Sequence, residues 1–508
     1  MFKRYLWAVV LIVALITTAC GGGTPAPATE EPEPPAVEEP ADEPADEPGE
    51  APSQYSEAPM LTEMVEAGEL PPLDERLPSV PFVVGPGTLI SEEDLPDWEP
   101  GQYGGTLQVG HSVANWNPDV FVMLDEALLQ GQGIGMEGIQ GNVVESFEIE
   151  NNNQDFTFKI RPGLKWSDGM PVTTEDVRFT WEDMYGNEQL YPNGLPNEFR
   201  VGYVVDGEPG TLEIIDDYTF KISFPAPYGG FVRNMWIEGW KGYTMIINPA
   251  HHLKQFHADY TPVEEMQAGM EEMNLTDEWW QYFSQKRCQN WDMSNPRCVN
   301  YPGLYPWIIQ ESDNPNLLVW ERNPYYFKVD TNGQQLPYFD KVISQQTEDV
   351  EMLNLKALTG EIDFMRESTA LVKIPLYKES EEQAGFRVVL TDMHVDSSGI
   401  RLNQTFDDPD WQEVVRDVRF RQAVSLAMDR QEIIDTVYYG YASLPLELVG
   451  EEFSAYDPDR ANQLLDDMGL TETNAEGIRL YPTSGEPINI LLEHGAHAPD
   501  LIPVADLV

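Results

Sequence analysis

The chain has few positively charged residues. Its 508 residues include 30 Lys and Arg against 87 Asp and Glu, a formal net charge of −57. A nucleic-acid partner is excluded, because neutralising phosphates needs Lys and Arg. The acids are spread along the whole chain. That distribution favours adaptation to a saline medium, where salt screens self-repulsion, over attraction of a cationic ligand.

The chain also lacks catalytic signatures. It has no His-Glu-x-x-His, no Gly-x-Ser-x-Gly and no glycine loop of the phosphate-binding kind. Carboxylates are so numerous that a pair at glycosidase spacing carries no information. His251, His252 and His257 are the best metal candidates, while His494 and His497 have no evident third ligand. We expect no catalytic residue, no cofactor and no metal.

The N-terminal apolar run, residues 5–19, is shorter than the about 20 residues that a membrane-spanning helix needs. It follows Lys3 and Arg4 and ends in Thr-Thr-Ala-Cys-Gly-Gly-Gly. This pattern predicts a lipoprotein signal peptide over residues 1–20, with lipid attached to Cys20 after cleavage. The alternative is an ordinary secretory signal with an incidental cysteine.

Residues 21–55 consist mostly of Pro, Ala, Glu and Asp, without Lys or Arg. Such a segment cannot form a core, and its prolines and like charges keep it extended, so we interpret it as a solvated tether. Residues 56–103, with the run LPPLDERLPSVPFVV, are predicted to form an extended arm crossing the surface.

Apart from Cys20, the chain contains only Cys288 and Cys298, ten residues apart in a polar segment. Outside the cytoplasm two such cysteines are expected to pair. Two free buried thiols are the alternative, and a zinc site is disfavoured because no histidine lies nearby.

The most informative stretch is FTFKIRPGLKWSDGMPVTTEDVRFTW, residues 156–181. Phe156, Phe158 and Ile160 alternate with polar residues, which predicts a half-buried strand. The Pro-Gly and Ser-Asp-Gly runs predict turns. Thr173, three residues before Asp176, predicts a capped helix start. By themselves these residues indicate only the α+β surface of a globular protein.

The order of these parts resembles the signature of the extracytoplasmic solute-binding proteins that serve peptide-type ABC importers. This is bacterial solute-binding protein family 5, with oligopeptide-, dipeptide- and nickel-binding relatives and sugar-binding members. The later runs RQAVSLAMDRQEII and DPDRANQLLDDMGL also match helices of the family. The residues themselves predict helices there, with caps at Asp429 and Asp457 and stops at Gly440 and Gly469.

The resemblance implies an α/β fold of two lobes, the type II periplasmic-binding-protein-like fold, with an extra small α+β subdomain. The implied divisions are lobe I over 104–135 and 211–345, the subdomain over 136–210, and lobe II over 346–508. Within them, alternation predicts a hairpin over 210–224. Met352, Leu355 and Leu358 predict one apolar helix face, and Ile362 with Phe364 a short strand.

Ligand-binding residues follow from the family resemblance, which places the end of the first strand and the Tyr301 segment at the cleft. The predicted set is Ser112, Asn115, Trp116, Trp236, Trp240 and Tyr301. Each Trp is a better candidate for the core than for the cleft. An aromatic cleft with a few polar groups suits an extended peptide or a sugar.

The function implied by the resemblance is capture of an extracellular solute, most simply an oligopeptide, with a sugar as the other option. The protein would be a lipid-anchored monomer outside the cytoplasm that delivers this solute to an ABC permease and its ATPase. The alternatives are a secreted, lipid-tethered enzyme of glycosidase type and a solute-sensing receptor component. The uncapped apolar pattern near Val508 leads us to expect that lobe II is incomplete.

Overall fold

The computed structural model describes residues 54–508, except 89, 94–97, 113–116, 133–136, 238–241, 276–277, 348, 367–368, 370, 391–398 and 495–499. The predicted signal peptide, Cys20 and nearly all of the predicted tether lie outside the described residues.

The strands are β1 Phe82–Val84, β2 Thr106–His111, β3 Leu129–Gln132, β4 Glu137–Gly141, β5 Val144–Glu150, β6 Asp155–Ile160, β7 Thr211–Ile214, β8 Thr219–Ser223, β9 Trp307–Gln310, β10 Leu317–Arg322, β11 Lys328–Asp330 and β12 Lys341–Gln346. The helices of the first half are α1 Pro59–Glu66, α2 Leu73–Arg76, α3 Pro118–Met123, α4 Thr174–Arg178, α5 Phe231–Ile237, α6 Ala250–Leu253, α7 Val263–Glu272 and α8 Trp279–Lys286.

The remaining helices are α9 Val350–Leu358, α10 Ile374–Ala384, α11 Pro409–Val415, α12 Val418–Ala427, α13 Arg430–Thr436, α14 Leu446–Val449, α15 Glu451–Ser454, α16 Pro458–Asp467 and α17 Leu501–Leu507. None of the helices in the described ranges combines the length and the apolar character needed to cross a bilayer.

One four-stranded sheet has the order β2-β12-β10-β9. β2 and β12 are parallel, with Thr106 opposite Lys341 and His111 opposite Gln346, while the other neighbours are antiparallel. Trp320 in β10 and Val342 in β12 are fully buried. The sheet joins residues more than 200 positions apart in sequence, so its pairing is decided by tertiary structure.

A second four-stranded sheet has the order β5-β6-β8-β7 and is antiparallel throughout. The predicted alternation in β6 is confirmed, since Phe156, Phe158 and Ile160 are buried, and the predicted hairpin corresponds to β7 and β8. The boundary predicted between 210 and 211 falls inside this sheet. The reason is that Phe220 of β8 stacks on Phe158 of β6 in one core.

The helix start that follows this strand is also confirmed. The Thr173 side chain accepts from the Glu175 amide, and Asp176 accepts from the Thr173 amide, 3.0 Å, which completes a capping box. α4 then continues as a π-helix over Phe179–Tyr185.

The arm before β2 is fastened to the segment around β11. β1 pairs in parallel with β11, and Ser56 bridges Gln334. Arg76 is completely buried and donates to Glu57 and to the Pro324 carbonyl. These contacts attach the arm, which contains α1 and α2, to the part of the chain before residue 347, called the first region below.

Beyond β12, the described residues form helices and isolated bridges but no strand. The prediction of a strand at Ile362 and Phe364 is wrong. Asp363 donates its amide to the Gln108 carbonyl, 2.8 Å, but Gln108 donates to the Asp363 carboxylate, 2.7 Å, instead of to a carbonyl. A side chain therefore occupies the place of a ladder hydrogen bond.

The predicted apolar face of α9 is wrong as well. Met352 and Leu355 are exposed, whereas Leu353 and Asn354 are buried. Asn354 is retained inside because its amide donates to the Val350 carbonyl and its oxygen accepts from the Tyr377 hydroxyl of α10. A polar residue thus belongs to the buried face, which an apolar periodicity cannot reveal.

The caps of the later helices agree with the prediction. Asp429 accepts from the Glu432 amide and Asp457 from the Arg460 amide, and Gly469 follows the C-cap of α16 with positive φ. Gly440 also has positive φ, but α13 ends before it, at Thr436. α12 packs on α16 and contributes Ala423 and Leu426 to a small shared cluster with Ala461.

Candidate functional site

The carboxyl ends of the parallel strands β2 and β12 meet at one edge of the first sheet. Here His111, Asn117 and Ser344 are almost completely buried. His111 Nδ1 lies 2.7 Å from Ser344 Oγ, and Asn117 donates to the same oxygen and to the Gly110 carbonyl, 3.1 Å. Their mutual hydrogen bonds offset the cost of burying these polar groups.

Asn117 also sets the start of α3. Its Oδ1 accepts from the amides of Asp119, 2.8 Å, and Val120, 3.0 Å. Asn117 therefore fixes the start of α3 beside the end of β2, since its side chain also donates to the Gly110 carbonyl.

The residues on either side of α9 are attached at the same place. Thr347 donates its amide to the His111 carbonyl, 2.8 Å, and Arg366 donates its amide to Asp119 Oδ1, 3.0 Å. The chain that leads from β12 to the C-terminal region is therefore hydrogen-bonded near the end of β2 at two points, Thr347 and Arg366.

Burial lowers the pKa of His111 from its ordinary value of 6.5 to about 4. The imidazole is therefore neutral at neutral pH and serves as a hydrogen-bonding group within the frame. It brings no positive charge to a ligand.

The predicted ligand-binding residues have different outcomes. Ser112 follows β2 directly and is half-buried, at the sheet edge just described. Asn115, Trp116 and Trp240 lie outside the described residues. Trp236 belongs to α5, but its side chain lies outside the described part as well.

Tyr301 is buried, with its ring edge-to-face on His252 at 5.2 Å between centroids. The structure therefore places Ser112 at the sheet edge and Tyr301 inside the core around α6, and a role for either in ligand contact stays a prediction.

Sequence reasoning missed His111, Asn117 and Ser344. A signal was present: polar residues directly after an apolar strand near the chain start, and a serine inside a later one. Only the parallel pairing of β2 with β12 shows that these residues meet.

The candidate metal ligands are used elsewhere. His251 Nε2 lies 2.8 Å from Asp168 Oδ2, and His257 Nε2 lies 3.0 Å from the Asp183 carbonyl oxygen. Within the described ranges no group of three His, Cys, Asp or Glu side chains has a metal-binding arrangement.

Cys288 and Cys298 form a disulfide, with Cα atoms 6.0 Å apart, and both are fully buried. It lies in the first region, just after α8, and closes the loop that leads to Tyr301.

The family model "Bacterial extracellular solute-binding proteins, family 5 Middle" matches residues 138–508. The chain belongs to this family. The match includes the second sheet, three strands of the first and the whole C-terminal helical region, so one family pattern spans both regions.

Family 5 relatives differ in what they bind. The chain is 28% identical over 492 residues to the periplasmic alpha-galactoside-binding protein of Rhizobium meliloti, an alignment of 86% of this chain and 63% of the relative. It is 23% identical to the periplasmic oligopeptide-binding protein OppA of Salmonella typhimurium, over 60% of this chain and 48% of that protein.

Two solved structures of the family share the fold. One is an oligopeptide-binding protein OppA, 34% identical with a TM-score of 0.59, covering 86% of this chain and 66% of that one. The other is MelB of Agrobacterium fabrum C58 in complex with stachyose, 25% identical with a TM-score of 0.61, covering 86% and 65%. The α/β fold of type II binding proteins, expected from the signature, is thereby confirmed. The chain spans about two thirds or less of the length of these relatives.

Proposed function

We propose that this chain is the solute-binding component of an ABC importer, which captures its solute between two lobes and delivers it to a permease with its ATPase. The observation that carries the proposal is the family match across residues 138–508, which includes strands of both four-stranded sheets and the C-terminal helices. Closure by a hinge between the regions would follow from this arrangement.

The solute is proposed to be an oligopeptide, in line with the 34% identity to an oligopeptide-binding structure. An α-galactoside is the second candidate. It is supported by the alignment of 86% of the chain with an alpha-galactoside-binding relative and by the likeness to a stachyose complex. Both candidates are extended solutes with several polar groups, which a long cleft between two regions can accommodate.

Ligand-induced stabilisation of the purified chain separates these candidates. A solute that binds the folded state alone adds RT ln(1 + [L]/Kd) to the free energy of unfolding and thereby raises the melting temperature. A mixed peptide library, stachyose and the non-galactoside maltose would be compared at equal concentration. A shift with peptides alone supports the first candidate, a shift with stachyose alone the second, and no shift with any of them contradicts both.

The rival functions have different readouts. An enzyme of glycosidase type would hydrolyse stachyose, whereas a binding protein leaves it intact. Chromatography of stachyose incubated with the protein should therefore show it unchanged. A sensor component would be encoded beside a membrane kinase, whereas an importer component is expected beside permease and ATPase genes.

The location is proposed to be outside the cytoplasm, with the protein tethered to the membrane by lipid on Cys20 and functioning as a monomer. Replacing Cys20 by Ser should move the protein from the membrane pellet to the soluble fraction of broken cells. A variant that stays in the pellet would contradict the anchor.

A further inference from the structure

A polar cavity lies in the first region, and its walls share no residue with the sheet edge around His111. Its volume is about 160 Å³, and its walls include Arg287, Tyr191, Tyr185, Thr244, Glu198 and Gln289. Arg287 follows α8 directly, and Cys288 next to it fixes the backbone through the disulfide.

Arg287 is buried, with 8% of its surface exposed. Its guanidinium donates to the Asn248 side-chain oxygen, 3.3 Å, to the Tyr191 hydroxyl, 2.5 Å, and to the Thr244 carbonyl, 3.2 Å. Every one of these acceptors is neutral. Among the described residues no carboxylate oxygen lies within ion-pair distance, 4.0 Å, of Arg287.

A buried guanidinium without an anionic partner is costly, because removing a charge from water costs several kcal/mol, which a well-placed opposite charge offsets. The guanidinium also has more N–H groups than its contacts with Asn248, Tyr191, Thr244 and Tyr185 use. Both facts are accounted for if an anion completes the site.

The cavity offers further donors beside Arg287. The Tyr191 hydroxyl accepts from Arg287, so its own hydrogen can be donated to a neighbour in the cavity. Gln289 adds a side-chain amide to the wall. Tyr185 donates to the Met245 carbonyl, 2.5 Å, and its oxygen accepts from Arg287, so its hydroxyl hydrogen is not available to an anion.

Glu198 is the one carboxylate in the wall, and it is already engaged, since it accepts from the Tyr203 hydroxyl, 3.3 Å. Its charge lies beyond ion-pair distance of Arg287 and weakens the attraction of an anion to the cavity. Removing this charge should therefore strengthen anion binding, which makes Glu198 a useful probe.

We propose that this cavity binds a small monovalent anion, chloride or a small carboxylate, against Arg287. The proposal is independent of the solute and of the cleft between the regions. The bound anion would supply the missing counter-charge of Arg287 and would stabilise the segment around the disulfide.

Bromide is the first probe, because it replaces chloride and is visible by anomalous scattering. Crystals of the whole chain soaked in sodium bromide should show an anomalous peak beside the Arg287 guanidinium and the Tyr191 hydroxyl. Anomalous peaks confined to the surface would overturn the proposal.

Measurements in solution distinguish chloride from a small carboxylate as the bound anion. Melting temperature would be recorded against sodium chloride and against sodium formate, each with sodium gluconate at equal ionic strength as reference. A saturable rise beyond the gluconate curve identifies the anion that binds. Coincidence of the chloride and formate curves with the gluconate curve overturns the proposal.

Three variants test the geometry. Glu198→Gln should lower the half-saturating anion concentration about threefold, and Tyr191→Phe should raise it about threefold through the lost hydroxyl. Arg287→Gln should abolish the anion-specific rise. If Arg287→Gln does not fold, the other two variants still test the proposal, because they should shift the half-saturating anion concentration in opposite directions. Arg233→Gln, the same charge change at an exposed position, is the control and should leave the curve unchanged.

Discussion

The regions before and after residue 347 are built differently. Before it, two four-stranded sheets enclose one continuous cluster of buried side chains in which Trp166, Trp320 and Tyr305 are fully buried. After it, the described residues form short helices around two small clusters, one centred on Trp411 and Phe420 and the other on Leu426.

The two regions also differ in the sequence separation of their stabilising contacts, which is larger in the first region. The first region depends on strands such as β2 and β12 that meet only in the folded state. The second depends largely on local capping and on α12 packing against α16, and it exposes Leu491 and Leu355 to solvent. We therefore expect the second region to open at lower free energy than the first.

The strongest test removes a large side chain from the first region. Trp320 is fully buried and donates to the Met293 carbonyl, 3.1 Å. Trp320→Ala should lower the free energy of unfolding by about 4 kcal/mol, because it leaves a cavity and an unpaired carbonyl. Urea denaturation followed by circular dichroism measures it. Leu491→Ala, at a position 83% exposed in the second region, is the control, and an equal loss there would contradict the comparison.

A pH titration examines the buried edge of the first region. The pKa of His111 is about 4 when folded and ordinarily 6.5, so its contribution is complete above pH 6.5 and is lost as the pH falls towards 4. The loss amounts to about 3 kcal/mol.

Two neighbours of the same region modify this profile. His252, whose pKa burial also lowers to about 4, adds to the loss on acidification. Burial raises the pKa of Asp176 to about 6, and its contribution acts in the opposite direction between pH 4 and 6. The specific check is His111→Gln, whose stability should fall less between pH 6.5 and 4 than that of the wild type. Parallel curves would rule out His111 as a cause.

Removal of the disulfide should reduce the difference in stability between the first and the second region. Cys288→Ser with Cys298→Ser opens a loop of sequence separation 10 in the first region. The free energy of unfolding should fall by about 2–3 kcal/mol through the entropy of the unfolded chain. Hydrogen exchange should show the loss in the first region, with α12 and α16 unaffected. An equal loss of protection in those helices would mean that the regions unfold as one.

The smallest effect is expected from a cap in the second region. Asp457 accepts from the Arg460 amide, 3.0 Å, at the start of α16. Asp457→Ala should cost about 1 kcal/mol and should lower protection of α12 and α16 alone. Asp459→Ala, two residues further on in the first turn of α16 and without a cap bond, serves as the matched control. Loss of protection in the sheets would show that the second region supports the first.

The sequence by itself determined the local features of this protein. The alternation of Phe156, Phe158 and Ile160, the capping box at Thr173 and the caps at Asp429 and Asp457 were readable because their partners lie within a few residues. The family signature is a run of such local features, which is why the fold class followed from it.

Only the tertiary structure decided which residues meet across long separations. The contact of His111 with Ser344, the charge of Arg287 placed among neutral acceptors, and the burial of Asn354 in place of Met352 depend on elements that no local pattern brings together. At Asp363 the side-chain carboxylate, not the backbone carbonyl, accepts from the Gln108 amide. A strand forms only where a partner offers its backbone groups, and local sequence does not show this. Local hydrogen bonds are fixed by sequence spacing, whereas pairing partners and buried charges are fixed by the packing of the whole chain.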